Sequence, residues 1–143
     1  MVALAFATQD PASRPASRAS RPAIVAANPL AGFWELRAFV GPNPAAAARF
    51  RGYLAIGQHH LSLHLLGPGP NPAIPFFQSG FRTYRIDHDR LITTVLIGAS
   101  NKENGDVVIE NTPLEEVRVF ERVGSILRIK KSAGEYLDFV KIE

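Results

Sequence analysis

The sequence contains no cysteine, so a disulfide framework, a thiolate nucleophile and a cysteine-ligated metal are all excluded. It also lacks any apolar run near the roughly 20 residues that span a bilayer as a helix. Long stretches of helical periodicity are missing as well, while the 143 residues include 11 prolines and 11 glycines. Such frequent proline and glycine residues are typical of many short strands joined by turns, and they argue against a helix bundle.

Charge of one sign is not concentrated anywhere in the folded part of the chain. The net charge is +3, and the first 29 residues contribute +2 of it through three arginines against Asp10. The remaining residues carry only +1, and their basic and acidic side chains interleave. A nucleic-acid site needs clustered lysine or arginine together with aromatic residues on one face. We therefore predict no nucleic-acid partner.

Residues 1–29 are predicted to be a disordered tail, and residues 30–143 the folded domain. Residues 8–29 are rich in alanine, serine, proline and arginine, which bury too little apolar surface to offset the entropy of ordering. Before them, Ala5-Phe6-Ala7 has the small-x-small pattern of a signal-peptidase site. Two interpretations stay open: a signal-peptide remnant, which favours a secreted or periplasmic protein, and an ordinary N-terminus, which leaves a cytoplasmic one.

From residue 30 onward the apolar pattern has a period of two, which is typical of half-buried strands. In the first of them, Trp34, Leu36, Ala38 and Val40 are expected to share one face. Only residues 45–50 predict a helical turn. Alternation and turn residues together predict strands at 32–40, 52–56, 60–66, 80–86, 90–98, 107–110, 114–122, 125–131 and 135–142.

These segments predict an all-β domain, a single antiparallel up-and-down barrel of eight to nine strands. Closure removes exposed sheet edges, and sequential strands need only short connections. An open sandwich is the alternative. Residues 67–75 (GPGPNPAIP) cannot lie inside a strand, so together with Phe76 and Phe77 they predict a flap near an open end of the barrel.

The first predicted strand is entered through Leu30-Ala31-Gly32-Phe33-Trp34-Glu35-Leu36. This segment resembles the Leu-x-Gly-x-Trp-x-Leu opening of lipocalin-like (calycin) β-barrels. The resemblance implies that Gly32 lets the chain turn into the base of the barrel and that Trp34 plugs that end. It also implies that a basic side chain from the last strands, Arg128 or Lys141, covers the tryptophan ring. Such barrels bind small apolar molecules, although a fold alone does not define a function.

The candidate ligand-binding residues are Tyr53, Leu63, Arg82 and Tyr84. Arg82 and Tyr84 are two residues apart on a predicted strand, so both side chains reach the same face. Their spacing resembles the Arg-x-Tyr pair with which fatty-acid-binding proteins hold a carboxylate. An outward-facing arginine beside a tyrosine packed at the rim is the alternative.

No group of residues predicts a metal site or a cofactor. His60 and His64 would lie on one strand face about 13 Å apart, which is too far for a shared metal. Solvated strand histidines are the better interpretation, and motifs for nucleophilic or zinc chemistry are missing. Glu115 and Glu121 share a strand face with valines; they reach the lumen only if that face points inward, and a surface position is favoured.

The strand from Leu91 to Ile97 (LITTVLI) is apolar on both faces, whereas a barrel strand normally shows one face to water. We therefore expect a cover for its outer face. A loop of the same chain is one candidate, and a homodimer through this strand is another.

These observations favour a non-enzymatic lipocalin-like barrel that binds a small apolar ligand or acts as an accessory domain. Two other classes stay open: an isomerase or cyclase that uses the lumen as a reaction chamber, and a structural or interaction module with a filled core. Lumen volume separates them. An apolar cavity of roughly 300 Å³ or more favours a binder or an enzyme, and a packed lumen favours the module.

Overall fold

The computed structural model describes residues 27–143; the predicted signal-peptide pattern and most of the predicted tail lie outside this range. Nine strands and one helical turn follow one another along the described residues. Within them, no helix is long and apolar enough to cross a membrane. The elements are β1 (Gly32–Val40), α1 (Pro44–Ala47), β2 (Arg51–Ile56), β3 (His60–Gly67), β4 (Phe76–Asp87), β5 (Arg90–Asn101), β6 (Val107–Glu110), β7 (Glu115–Val123), β8 (Ile126–Ser132) and β9 (Glu135–Lys141).

Eight of these strands close into an antiparallel barrel. Strands β1 to β5 pair in sequence order, β5 pairs with β7, the order continues through β8 and β9, and β9 returns to β1. The predicted up-and-down barrel is therefore confirmed, and the sandwich alternative is wrong. The helical turn α1 is shorter than expected, and β4 begins at Phe76 because it pairs with β3 along the full length of that strand.

The ninth strand, β6, extends one wall of the barrel. The last residues of β5 pair with β6, and the first residues of β5 pair with β7. Since β6 and β7 run in the same direction along β5, they form one interrupted strand with residues 111–114 between them. This wall is taller than the one formed by β8 and β9, which turn at Ser132 and Glu135.

One end of the barrel is closed by Trp34. Its side chain is fully buried, and its indole N–H donates a hydrogen bond of 2.9 Å to the carbonyl oxygen of Leu30. The Lys141 Nζ lies 5.7 Å from the ring centroid, and the Arg122 guanidinium carbon lies 5.1 Å from it. Lys141 thus has the place that the family resemblance implies, and Arg122 is a second cation that the sequence analysis did not single out.

Arg128, the other expected cover of the tryptophan, lies on the outer wall instead. Its guanidinium makes two hydrogen bonds to the Asp138 carboxylate, at 2.7 and 2.8 Å, and its Cζ lies 4.0 Å from the ring centroid of Tyr136. The hydrogen bonds to Asp138 raise the pKa of Arg128 above its ordinary value. Arg128 therefore ties β8 to β9 on the outside and does not reach the closed end.

The backbone at the closed end leaves no room for a side chain at Gly32. This residue has φ +135°, a conformation that favours glycine, and a Cβ there would lie 2.6 Å from the Cε of Lys141. The next amide, that of Phe33, donates to the carbonyl oxygen of Glu143 at 3.1 Å. The entry of β1 and the end of the chain therefore cross at van der Waals contact.

Asn28, two residues before the predicted start of the folded domain, contacts the closed end of the barrel. The Asn28 side chain accepts a hydrogen bond of 3.0 Å from the Leu30 amide and donates one of 3.1 Å to the carbonyl oxygen of Gly57. It also contacts the hydroxyl of Tyr84. These contacts fix the chain just before the residues that close the barrel.

The side-chain alternation in β1 differs from the expected one after Leu36. A register shift between Leu36 and Ala38 inserts an extra residue opposite β9, so Phe39 pairs with Leu137 on the inner face. Val40 then points outward, opposite Tyr136. The prediction that Ala38 and Val40 share a face with Trp34 is therefore wrong, because a β-bulge reverses the alternation.

Replacing Trp34 tests the closure of the barrel. We expect Trp34→Ala to lower the free energy of unfolding by about 3–5 kcal/mol, the usual range for removing a large buried aromatic side chain. Phe33→Ala is the matched control, because Phe33 precedes Trp34 but is mostly exposed; it should change stability by less than about 1 kcal/mol. Urea unfolding measures both, and equal effects of the two substitutions contradict the assignment.

Candidate functional site

The half of the barrel opposite Trp34 is hollow. It contains a cavity of about 400 Å³ to which all eight strands of the barrel contribute side chains. The inward side chains of β3 alternate with outward polar ones, as its sequence predicted, and they form one apolar wall. Most of the cavity surface is apolar, and its leucines are Leu54, Leu61, Leu63, Leu65, Leu91 and Leu137.

A charged pair crosses this apolar space on the inner side of β5. Arg82 on β4 is only 8% exposed, and its guanidinium lies 2.5 Å from the carboxylate of Glu116 on β7. The same guanidinium donates a hydrogen bond of 3.3 Å to the hydroxyl of Thr93, which is buried on the strand between them. A buried arginine needs such partners, because an unpaired charge in a low-dielectric interior is costly.

Two further cations line the same cavity. Arg118 on β7 lies two residues beyond Glu116, on the same inner face, and its guanidinium is 4.0 Å from the Glu116 carboxylate. Lys131 on β8 points in from the neighbouring strand, with its Nζ 5.3 Å from the ring centroid of Phe39. The polar part of the cavity therefore carries more positive than negative charge.

The open end is narrowed by aromatic side chains. The Phe50 ring, from the loop after α1, lies 4.9 Å from that of Phe39 and 5.6 Å from that of Phe76. Asn101, at the end of β5, holds the entry of β4: its side chain accepts from the Phe77 amide at 2.9 Å and donates to the carbonyl oxygen of Pro75 at 2.6 Å. The loop predicted as a flap is thus anchored to the tall wall of the barrel.

The structure separates the four predicted ligand-binding residues. Leu63 and Arg82 line the cavity. Tyr84 lies towards the closed end, where its hydroxyl donates a hydrogen bond of 2.7 Å to the carbonyl oxygen of Gly57 and burial raises the pKa of the phenol. Tyr53 is 52% exposed on the outer face, with its hydroxyl 3.5 Å from Glu35. Arg82 and Tyr84 therefore face different partners and form no common group at the cavity.

The strand pattern did not single out Glu116, Arg118 and Lys131. Along β7 the valines Val117 and Val119 share a face with Glu115 and Glu121, and the sequence left open which face points inward. The register with β5 places Arg118 opposite the buried Leu91, so the charged alternation points inward and the valines point outward. The surface position favoured for Glu115 and Glu121 agrees with the structure, because both lie on the outer face with the valines.

The outer face of the strand from Leu91 to Ile97 is covered only in its first half, by an ion pair that its sequence did not indicate. Arg85 on β4 and Glu115 on β7 form an ion pair of 3.3 Å that passes over the outer side of β5, where Ile92 is buried. A bulge follows, since Phe81 pairs with Ile97 but the next residue of β4 pairs with Val95. As a result the extra residue, Leu96, and its neighbour Ile97 are both exposed.

The histidines lie on the outer surface of the described barrel or in its turns. His60 stacks on Phe81 with 5.2 Å between ring centroids, and the Nδ1 of His64 lies 2.9 Å from the hydroxyl of Ser79. His88 occupies the β4–β5 turn with φ +55°. Within residues 27–143, no group of three or more histidine or acidic side chains is arranged to hold a metal ion.

Comparison of the chain with protein-family models, curated proteins and solved structures finds no match.

Neutralising the inner carboxylate tests the pairing of Arg82. We expect Glu116→Gln to lower the free energy of unfolding by about 1–3 kcal/mol, because it leaves a buried guanidinium without its counter-charge. Glu115→Gln is the matched control on the next residue: its ion pair with Arg85 is exposed, so the loss should stay below about 1 kcal/mol. Guanidinium chloride unfolding at neutral pH compares the two. A larger loss for Glu115→Gln contradicts the account.

Proposed function

We propose that the protein is a non-enzymatic, lipocalin-like binding protein that takes a small, largely apolar ligand into the open half of its barrel. The observation that carries the proposal is the cavity of about 400 Å³, which falls in the size range of small-molecule sites. Apolar walls with a few convergent polar groups are also the usual composition of such sites. A structural module with a filled core would instead pack this space with side chains.

The chemistry of the cavity favours binding over reaction. Among the residues that line it, Glu116 is the single carboxylate, and Arg82 holds it at 2.5 Å. A general base needs a free carboxylate or imidazole close to the substrate proton, and Glu116 is already engaged. An enzyme that only holds a flexible substrate in a reactive pose is the alternative, and product formation would distinguish it.

The lipocalin-like assignment is part of the proposal. It is supported by the closed end, where Trp34 is buried beneath Lys141 and Arg122 and where the backbone crosses Gly32. The opposite end is framed by α1 and by the anchored loop before β4. One closed and one open end is the arrangement that a barrel with a ligand cavity needs.

Blocking the lumen tests the proposed function. The neutral fluorophore N-phenyl-1-naphthylamine should bind saturably, at one molecule per barrel, with enhanced emission. Leu63→Trp fills the cavity from β3 and should weaken this binding at least about tenfold. His64→Trp adds similar bulk to the exposed outer face of the same strand and should leave it unchanged. Far-UV circular dichroism establishes that both variants fold; equal affinities for the two would contradict a site in the lumen.

We also propose that the exposed end of β5 takes part in a homodimer. Ile97 is 56% exposed, and Val107 and Ile109 on β6 are 59% exposed beside it. In the described residues β6 is hydrogen-bonded only to β5, so its second edge is free to pair. Apolar side chains next to a free strand edge are typical of an interface.

Sedimentation velocity at about 50 µM tests the dimer. The wild-type chain should sediment as a dimer, and Ile97→Lys combined with Ile109→Lys should give a monomer, because two buried charges per subunit disfavour the interface. Val117→Lys is the control, as an exposed valine on the outer face of β7, away from β6. A monomeric wild-type protein overturns the proposal.

A further inference from the structure

The side chains that line the cavity carry an unbalanced charge. Three of them are cationic, Arg82, Arg118 and Lys131, and one is anionic, Glu116, which leaves a net charge of +2 in a mostly apolar space. Such an excess is unfavourable in itself, because like charges near low-dielectric walls repel each other more strongly than in water. An anion in the cavity would relieve that repulsion.

The excess charge is confined to two of the cations. Glu116 is 2.5 Å from Arg82 and 4.0 Å from Arg118, so its carboxylate is used mainly by Arg82. Lys131 makes no ion pair with any described residue; its ammonium group lies near the face of Phe39. The positive charge without a full partner therefore belongs to Arg118 and Lys131.

These two cations belong to one side of the cavity. Strands β7 and β8 are antiparallel neighbours, and Val119 of β7 pairs with Lys130 of β8. Arg118 precedes Val119 and Lys131 follows Lys130, so the two cations are neighbours across the strands. The Arg118 side chain is 38% exposed and Lys131 is exposed, so the charged group of a ligand can reach both. The cavity beside them is lined by buried apolar side chains such as Leu61 and Leu91.

We propose that the ligand of the lumen is an amphipathic anion, with its charged group between Arg118 and Lys131 and its apolar part among the leucines that line the cavity. This inference rests on the proposed function and specifies the ligand class. The site is distinct from the Arg82–Tyr84 pair that the sequence suggested, because Arg82 is neutralised by Glu116 and Tyr84 lies outside the cavity lining. Carboxylate and sulfate groups share the required chemistry.

A matched set of ten-carbon ligands tests the proposal. Decanoate, decyl sulfate, decanol and decylamine are titrated against the complex with N-phenyl-1-naphthylamine at pH 7.5 and low salt, each below its solubility limit. At least one of the two anions should displace the fluorophore about tenfold more tightly than decanol, and decylammonium should bind more weakly than decanol. Raising the salt concentration should reduce the preference for the anion, as expected for an exposed ion pair.

Variants then locate the charged group. Arg118→Gln and Lys131→Gln should each weaken the binding of the preferred anion about three- to tenfold. The affinity for decanol should stay within about twofold of the wild-type value. Lys130→Gln is the control, because Lys130 neighbours Lys131 but pairs with Glu121 on the outer face. This variant should bind both the anion and decanol with unchanged affinity. Since Lys131 is exposed, its variant is expected to fold even if Arg118→Gln does not.

The outcomes separate this inference from the function on which it rests. If decanol binds as tightly as both anions, or if Lys131→Gln weakens decanol and anion alike, the lumen binds apolar ligands and the anionic head group is wrong. If none of the four ligands displaces the fluorophore, or the fluorophore itself does not bind, the proposed function falls and the inference falls with it. If the preference for the anion is lost in Lys131→Gln and kept in Lys130→Gln, the proposed function and the anionic ligand class are both supported.

Discussion

The burial of Trp34 is the constraint on which the rest of the structure depends. A barrel of eight strands is wide enough to need filling, and here the filling is unequal. The closed half is filled by the Trp34 indole, which donates a hydrogen bond to Leu30, and by the buried side chains of Phe139 and Leu127. That concentration of apolar burial stabilises the closed end, and it allows the other half to stay hollow without loss of the fold.

Strand β5 links this fold to the candidate site. Charged pairs cross it on both sides, Arg82 to Glu116 within the lumen and Arg85 to Glu115 outside. Both pairs join β4 to β7, the two neighbours of β5, and so both reinforce the same closure of the barrel. The inner pair also fixes the polar character of the cavity, because it engages the one carboxylate that lines the cavity and leaves Arg118 and Lys131 without a full partner.

The sequence predicts the strands well because alternation and turn residues are local signals. The number of strands and the start of β1 follow from such signals, whereas the place of Trp34 at the closed end was implied by the family resemblance. Side-chain direction after a bulge does not follow from local signals, because an inserted residue is visible only in the register with the partner strand. Ala38 and Val40 were therefore expected on the wrong face, and the periodicity of β1 alone could not have corrected them.

The polar residues of the cavity were harder to predict for a related reason. On β7 the valines face water and the charged side chains face the lumen, which inverts the pattern of a half-buried strand. The inversion depends on Arg82, a residue 34 positions earlier, which supplies the partner that makes Glu116 acceptable inside. A pairing between distant strands cannot be read from the pattern of either strand alone. Arg82 itself was found by its spacing to Tyr84, although the two turned out to have different partners.

The central claim is that the lumen, rather than the outer surface, receives the ligand. Methyl resonances of leucine, valine and isoleucine, followed by NMR during titration with decanoate and decanol, test it most directly. Inward methyl groups, such as those of Leu61, Leu63 and Leu91, should shift saturably with either ligand, while those of the exposed Leu66 and Ile97 stay in place. Shifts confined to the outward methyl groups, or no saturable shifts at all, would contradict the account.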